Sequence, residues 1–135
     1  MKLNFWGVRG SIPTPGRSTT EYGGNTTCLE ILSENEEVYI VDAGSGIREL
    51  GINLLEINPV KSEATLLLTH VHYDHIQGFP FFKPAYHPKW TLEVMTGRKN
   101  LERMLSLQNQ KSDTALMQRT KGEHTEGNTI VLHKS

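Results

Sequence analysis

Six consecutive residues, His70-Val71-His72-Tyr73-Asp74-His75, bring together four side chains able to ligate a metal. In an extended or loosely turned segment His70 and His72 project to the same side, while Asp74 and His75 follow as the chain turns away, so all four can converge. Imidazole and carboxylate suit zinc, with manganese or iron(II) as alternatives, and three protein ligands plus a water is the catalytic pattern. Water on zinc has its pKa lowered to about 7, which makes a hydroxide nucleophile at neutral pH. A lone histidine at a strand end is ordinarily just a hydrogen-bonded side chain. Three imidazoles and a carboxylate beside an apolar strand are costly to desolvate unless something compensates them, and that favours a metal.

The elements that must position this cluster are legible on either side of it. Ala64 to Thr69, with Leu66-Leu67-Leu68 unbroken, reads as a strand buried on both faces, and the cluster begins at its C-terminal end. Upstream, Ile47, Leu50, Leu54 and Ile57 recur at intervals of three and four before Pro59, which predicts an amphipathic helix over 47–58. Cys28 to Leu32 and Val38 to Val41, separated by the polar Ser33 to Glu37, predict a hairpin, and Lys2 to Trp6 predicts a first strand ahead of a glycine- and proline-marked loop. Downstream lie an aromatic loop from Gly78 to Pro88, a strand over Thr91–Met95, a second helix over Arg98–Gln108, a polar and poorly ordered stretch over 109–128, and a last strand at Thr129–Leu132. Strands alternating with helices place the chain in the α/β class as a single domain spanning 1–135.

Bulk composition narrows the functions. Fourteen basic against fifteen acidic side chains leave a formal charge of −1, so no global field draws the protein to nucleic acid or to an anionic membrane. No stretch approaches the roughly 20 apolar residues that span a bilayer, and the N-terminus lacks an apolar export segment, so a cytoplasmic location is expected. Cys28 is the only cysteine, which excludes an internal disulfide and a multi-cysteine zinc cage and leaves histidine and carboxylate to carry any metal.

The run His70-x-His72-x-Asp74-His75 after a hydrophobic strand resembles the signature of the metallo-β-lactamase superfamily, matching at all four fixed positions. Asp42-Ala43-Gly44 resembles that family's aspartate at the end of an earlier strand, which implies a supporting role for Asp42. Gly7-Val8-Arg9-Gly10-Ser11-Ile12-Pro13, Tyr22-Gly23-Gly24-Asn25-Thr26 and Ile76-Gln77-Gly78-Phe79-Pro80-Phe81-Phe82 resemble the branch near cyclic-nucleotide and cyclic-phosphate phosphodiesterases and tRNA 3′-processing enzymes. The resemblance implies an αββα sandwich, of which this chain covers about the N-terminal half. It also implies a two-metal site, with His70 and His72 on one metal, Asp74 and His75 on the other, and Asp74 as the catalytic residue orienting the nucleophile. Two metals about 3.5–4 Å apart stabilise both the attacking and leaving oxygens of an in-line displacement, so phosphodiester hydrolysis is the expected reaction.

Asp113, His124 and His133 are of suitable type for the distal ligands the family supplies, but none sits in a recognisable motif and none is assigned. Gly44-Ser45-Gly46 lacks the third glycine of a dinucleotide loop and reads as a tight turn with Ser45 as a possible helix N-cap. Arg9 and Arg48 read first as surface or structural pairing, and of the two Arg9 is the better candidate to meet a phosphate. The aromatics Phe79, Phe81, Phe82 and Tyr86 read as packing that holds the ligands rigid rather than as a stacking surface, and His87 as structural. Two functional readings follow: a zinc-dependent, phosphodiesterase-type hydrolase acting on a small-molecule or nucleotide diester, or a truncated, inactive fragment that binds metal weakly. A half-sandwich leaves an apolar sheet face uncovered, so self-association as a homo-oligomer is expected. Substrate-contacting residues are not identifiable from spacing.

Overall fold

The computed structural model describes residues 1–57, 59, 61–97 and 129–133. Its strands are β1 (Lys2–Gly7), β2 (Cys28–Leu32), β3 (Val38–Val41), β4 (Glu63–Leu68), β5 (Thr91–Thr96) and β6 (Thr129–His133), and its helices are α1 (Ile47–Ile57) and the single turn α2 (Tyr73–Ile76). Short 3-10 turns lie at Arg17–Thr19, Phe79–Phe81 and Lys83–Tyr86. The predicted helix over 98–108 and the polar stretch over 109–128, with Asp113 and His124, lie outside the described residues.

The six strands form one sheet in sequence order. β1, β2 and β3 pair antiparallel, and the predicted hairpin is present in the register Leu29↔Val41 to Leu32↔Val38. Its polar turn is closed by the Ser33 amide on the Glu37 carbonyl at 3.0 Å. β3, β4 and β5 run parallel, and β6 returns antiparallel beside β5. Parallel neighbours cannot be joined by a tight turn. Between β3 and β4 the crossover is α1, whose buried stripe of Ile47, Leu50 and Leu54 lies on the sheet.

Ile40, Leu66, Leu92 and Val94 from the sheet, Leu50 and Leu54 from α1, and Phe79 and Phe82 from the following turns form one buried cluster. Each such side chain contributes roughly 1.5–3 kcal/mol on burial. Gly51 of α1 faces those turns closely: a Cβ there would meet Phe82 Cδ2 at 2.9 Å and Pro84 Cδ at 3.0 Å.

The two sheet faces differ. β4 alternates, with Ala64, Leu66 and Leu68 buried under α1 but Thr65 and Leu67 only partly covered, so the unbroken apolar run is not buried on both faces as its composition predicts. Along the face away from α1, Phe5 is 67% and Leu3 49% exposed, and Met95 is also exposed. No layer among the described residues covers that face, so the described fold is a mixed α/β structure with one sheet and one helical layer, a partial version of the expected sandwich.

Candidate metal centre

β3 and β4 are parallel neighbours, so their C-terminal ends open on the same edge of the sheet, the edge where α/β folds place ligands. Asp42 follows β3 directly, with φ at 62°, a left-handed conformation that aspartate tolerates better than most residues. Its amide donates to the Leu67 carbonyl at 2.9 Å, fixing it against the end of β4. The side chain is buried, at 2% exposure, and would be costly there without partners.

It has three. The Thr69 amide donates to Asp42 Oδ1 at 2.9 Å, the Thr69 hydroxyl lies 2.9 and 2.8 Å from the two carboxylate oxygens, and His75 Nδ1 lies 2.8 Å from Oδ2. A carboxylate only accepts, so His75 must carry its proton on Nδ1 and leave Nε2 as the free nitrogen. The same logic reaches His70. Thr69 Oγ1 spends its proton on Asp42, and His70 Nδ1, 3.0 Å from Oγ1, therefore donates and leaves its own Nε2 free. One buried carboxylate thereby sets the tautomer of two histidines, the outer-shell arrangement typical of metal-ligating imidazoles.

The three rings adjoin. His70 and His75 centroids are 4.0 Å apart, and His70 and His72 centroids 4.5 Å apart. His72, exposed, precedes the single turn α2, which carries Asp74 and His75. Asp74 Oδ2 accepts from the Ser11 amide at 3.0 Å and faces His75 Nε2 at 3.4 Å. The Ser11 amide, the largest influence, holds the Asp74 carboxyl below the ordinary carboxylate range against a smaller opposing effect of desolvation. Ser11 makes this contact at φ 71°, a conformation that non-glycine residues rarely adopt.

Backbone packing fixes where the cluster sits. The Ala43 amide donates to the His75 carbonyl at 2.7 Å, and the Gly78 amide to the Ala43 carbonyl at 2.9 Å. A Cβ on Gly78 would lie 2.0 Å from the Gly44 carbonyl oxygen, and one on Gly44 would lie 2.5 Å from both the Asp74 carbonyl oxygen and Thr26 Oγ1. These two glycines permit the backbones to touch. Ser45 does not cap α1 with its side chain as its position suggests. Its hydroxyl instead donates to Asn25 Oδ1 at 3.0 Å and accepts from the Thr26 amide at 2.9 Å.

The donor set fits zinc in kind. It offers imidazole nitrogens with their outer partners in place and a carboxylate whose oxygen faces a lone-pair nitrogen, a repulsive pairing that a cation between them relieves. As the side chains stand, however, no group of three or more histidine, cysteine, aspartate or glutamate residues among the described ones is arranged to hold a metal ion. The cluster is assembled but not closed.

Other candidates fall into place around it. Phe79 and Phe82 are buried and Tyr86 packs at the core's edge, while Phe81 is 61% exposed. Arg48 pairs with Glu49, whereas Arg9, two residues from Ser11, forms no ion pair among the described residues. His87 Nδ1 accepts from the Lys89 amide at 3.3 Å, a local turn contact. His133 pairs in register with Thr91 at the far end of β5 from the cluster. Thr69, Thr26, Ser11 and Gln77 escaped notice as functional residues. Thr69 and Gln77 adjoin the motif in sequence, whereas Thr26 and Ser11 reach the site from far upstream, Ser11 from 63 positions away.

Residues 19–129 match the family model of the metallo-beta-lactamase superfamily, and the chain belongs to that superfamily. Among curated proteins it is similar to ribonuclease Z of Lacticaseibacillus casei, 34% identical over 82 residues, which are 61% of this chain and 23% of that protein. It is similar also to ribonuclease Z of Lactiplantibacillus plantarum, 35% identical over 80 residues (59% of this chain, 24% of the relative). Ribonuclease Z of Bacillus subtilis is 31% identical over 80 residues (59% and 24%). The matched part thus spans about a quarter of these relatives. No solved structure matches the chain. No helix among the described residues is long and apolar enough to cross a membrane.

Proposed function

We propose that this chain carries the metal-binding half of a phosphodiesterase active site, with His70, His72, Asp74 and His75 as ligands, Asp42 in support and an RNA or nucleotide phosphodiester as substrate. The observation that carries the reading is the chain of bonds from Asp42 to His75 Nδ1 and, through Thr69, to His70 Nδ1, which leaves both Nε2 atoms available. Zinc held there, or manganese or iron(II), supplies Lewis-acid polarisation of a phosphoryl oxygen and acidifies a water. The protein's own part is to keep His70 and His75 in the ligating tautomer and to hold Asp74, through the Ser11 amide, ionised beside them. Asp74 is the catalytic residue of this reading, orienting the nucleophile. Arg9, on the loop that reaches Asp74 and without an ion pair among the described residues, is the candidate to meet a substrate phosphate. The similarity to ribonuclease Z supports a diester of RNA, acted on in the cytoplasm, although the balanced net charge gives no general attraction for nucleic acid.

The experiment is turnover of an aryl phosphodiester and of a short RNA by the zinc- or manganese-loaded chain. Turnover abolished in Asp74→Ala supports the reading, and a metallated chain without turnover sinks it. A second reading, a metal-binding piece without activity, is favoured by the share of the relatives that the match spans. It predicts bound metal and no turnover. The open apolar face beside Phe5 and Leu3 supports association with further polypeptide, a second copy included, and sedimentation as a stable monomer would count against that.

A further inference from the structure

We infer that Thr26 is a positioning residue for the metal-binding segment, its buried hydroxyl holding residues 74–78 against the turn that follows Asp42. The inference rests on the reading of His70, His72, Asp74 and His75 as metal ligands. Thr26 is fully buried, at 0% exposure, in the glycine-marked stretch between β1 and β2 that the proposed chemistry leaves without a role. Its Oγ1 accepts from the Ser45 amide at 2.8 Å and from Gln77 Nε2 at 3.0 Å. Its own amide donates to Ser45 Oγ at 2.9 Å, and its carbonyl accepts from the Gly46 amide at 3.3 Å. One residue thus adds a side-chain tie between two segments, one following Asp42 and one containing His75, that are also joined by the Ala43 amide on the His75 carbonyl and the Gly78 amide on the Ala43 carbonyl.

Steric contact at the same point makes the tie consequential. Gly44 is enclosed between Thr26 and the Asp74 carbonyl, and Gly78 between the Gly44 carbonyl and Ile47 Cγ2, so the Thr26 hydroxyl sits in a tightly packed junction. The 2.8 Å contact between Asp42 Oδ2 and His75 Nδ1 depends on the two segments keeping this spacing. Valine at position 26 keeps the volume but leaves the Ser45 amide and the Gln77 side chain facing a methyl group, and a buried donor without an acceptor destabilises its surroundings. Serine restores the acceptor.

The test compares wild type with T26V, T26S and Q77L on two readouts. The first is amide hydrogen exchange of the metal-free chain. The second is the zinc Kd by competition with a chromophoric chelator. T26V is expected to speed exchange across 74–78 and 43–46 at least tenfold with the amides of β2, β3 and β4 unchanged, and to weaken zinc at least tenfold. T26S should stay within threefold of wild type on both readouts. Q77L should move both in the direction of T26V, and the T26V/Q77L pair should fall short of the product of the single effects. Uniformly faster exchange would overturn the inference by reducing Thr26 to a core residue, as would wild-type exchange across 74–78, or T26S as harmful as T26V. If T26V does not fold, Q77L decides alone, because its side chain is only half-buried. If wild type takes up no zinc, the metal reading fails by itself, and the exchange readout still decides whether Thr26 holds the segment.

Discussion

Asp42→Asn is nearly isosteric, yet it should disrupt the site more than its size suggests. The carboxylate accepts from the Thr69 amide on Oδ1 and from His75 Nδ1 on Oδ2. An amide has one acceptor and one donor end, so either orientation sets an N–H against the Thr69 amide or against His75 Nδ1–H. The conflict is relieved only if His75 moves its proton to Nε2, the nitrogen proposed to bind metal. Hydrogen bonds to charged groups contribute about 1.5–3 kcal/mol each, and since Thr69 is exposed only the His75 bond counts in full. The expected loss is therefore about 2–3 kcal/mol in urea unfolding. Asparagine also tolerates the left-handed backbone at 42, so the loss is not a backbone effect. Nitrogen-detected NMR of His75 should show the proton on Nδ1 in wild type and on Nε2 in the variant, with zinc affinity falling about 10–100-fold. A variant within 0.5 kcal/mol of wild type, taken as about the noise of a neutral surface change, and with the Nδ1–H tautomer intact would refute the reasoning.

Three further outcomes follow from the same geometry. Gly78→Ala puts a Cβ 2.0 Å from the Gly44 carbonyl and should cost about 2–3 kcal/mol in urea unfolding, with little loss arguing that this junction is looser than described. Cys28 is fully buried, and burial, with Glu30 and Asp42 adding to it, pushes its thiol far up, so a thiol-specific disulfide reagent should label it only at the rate of unfolding; prompt native labelling would contradict this. Asp74, its carboxyl lowered by the Ser11 amide, should titrate below the ordinary carboxylate range in carboxyl-detected NMR of the metal-free chain. Because the folded value is the lower one, its contribution to stability is present above the unfolded pKa and is lost as pH falls through the folded value. Titration at or above the ordinary value would reject the Ser11 contact.

The ligand cluster, α1 and the hairpin were legible because each is a local pattern: four donors within six residues, apolar spacing of three and four, and strands around a polar turn. Burial of β4 was misjudged, since Leu66-Leu67-Leu68 reports only that both faces are apolar and not whether a second layer covers Leu67. The Ser45 cap was misjudged for a related reason. Its position fits a cap, but Asn25 and Thr26, twenty and nineteen residues upstream, lie within reach and bind its hydroxyl instead. Resemblance supplies a role for Asp42, whereas Ser11 and Thr26 lie in resembling segments without one, because turn residues look alike until tertiary packing shows what their polar atoms face.

The central claim is that His70, His72, Asp74 and His75 hold metal. Its most direct test is metal content per chain after zinc loading and removal of excess, measured by elemental analysis beside intact mass for wild type, His70→Ala and His75→Ala. At least one zinc per wild-type chain is expected, with its loss in both variants and the fold retained. A wild-type chain that retains no zinc, or variants that retain as much as wild type, would contradict it.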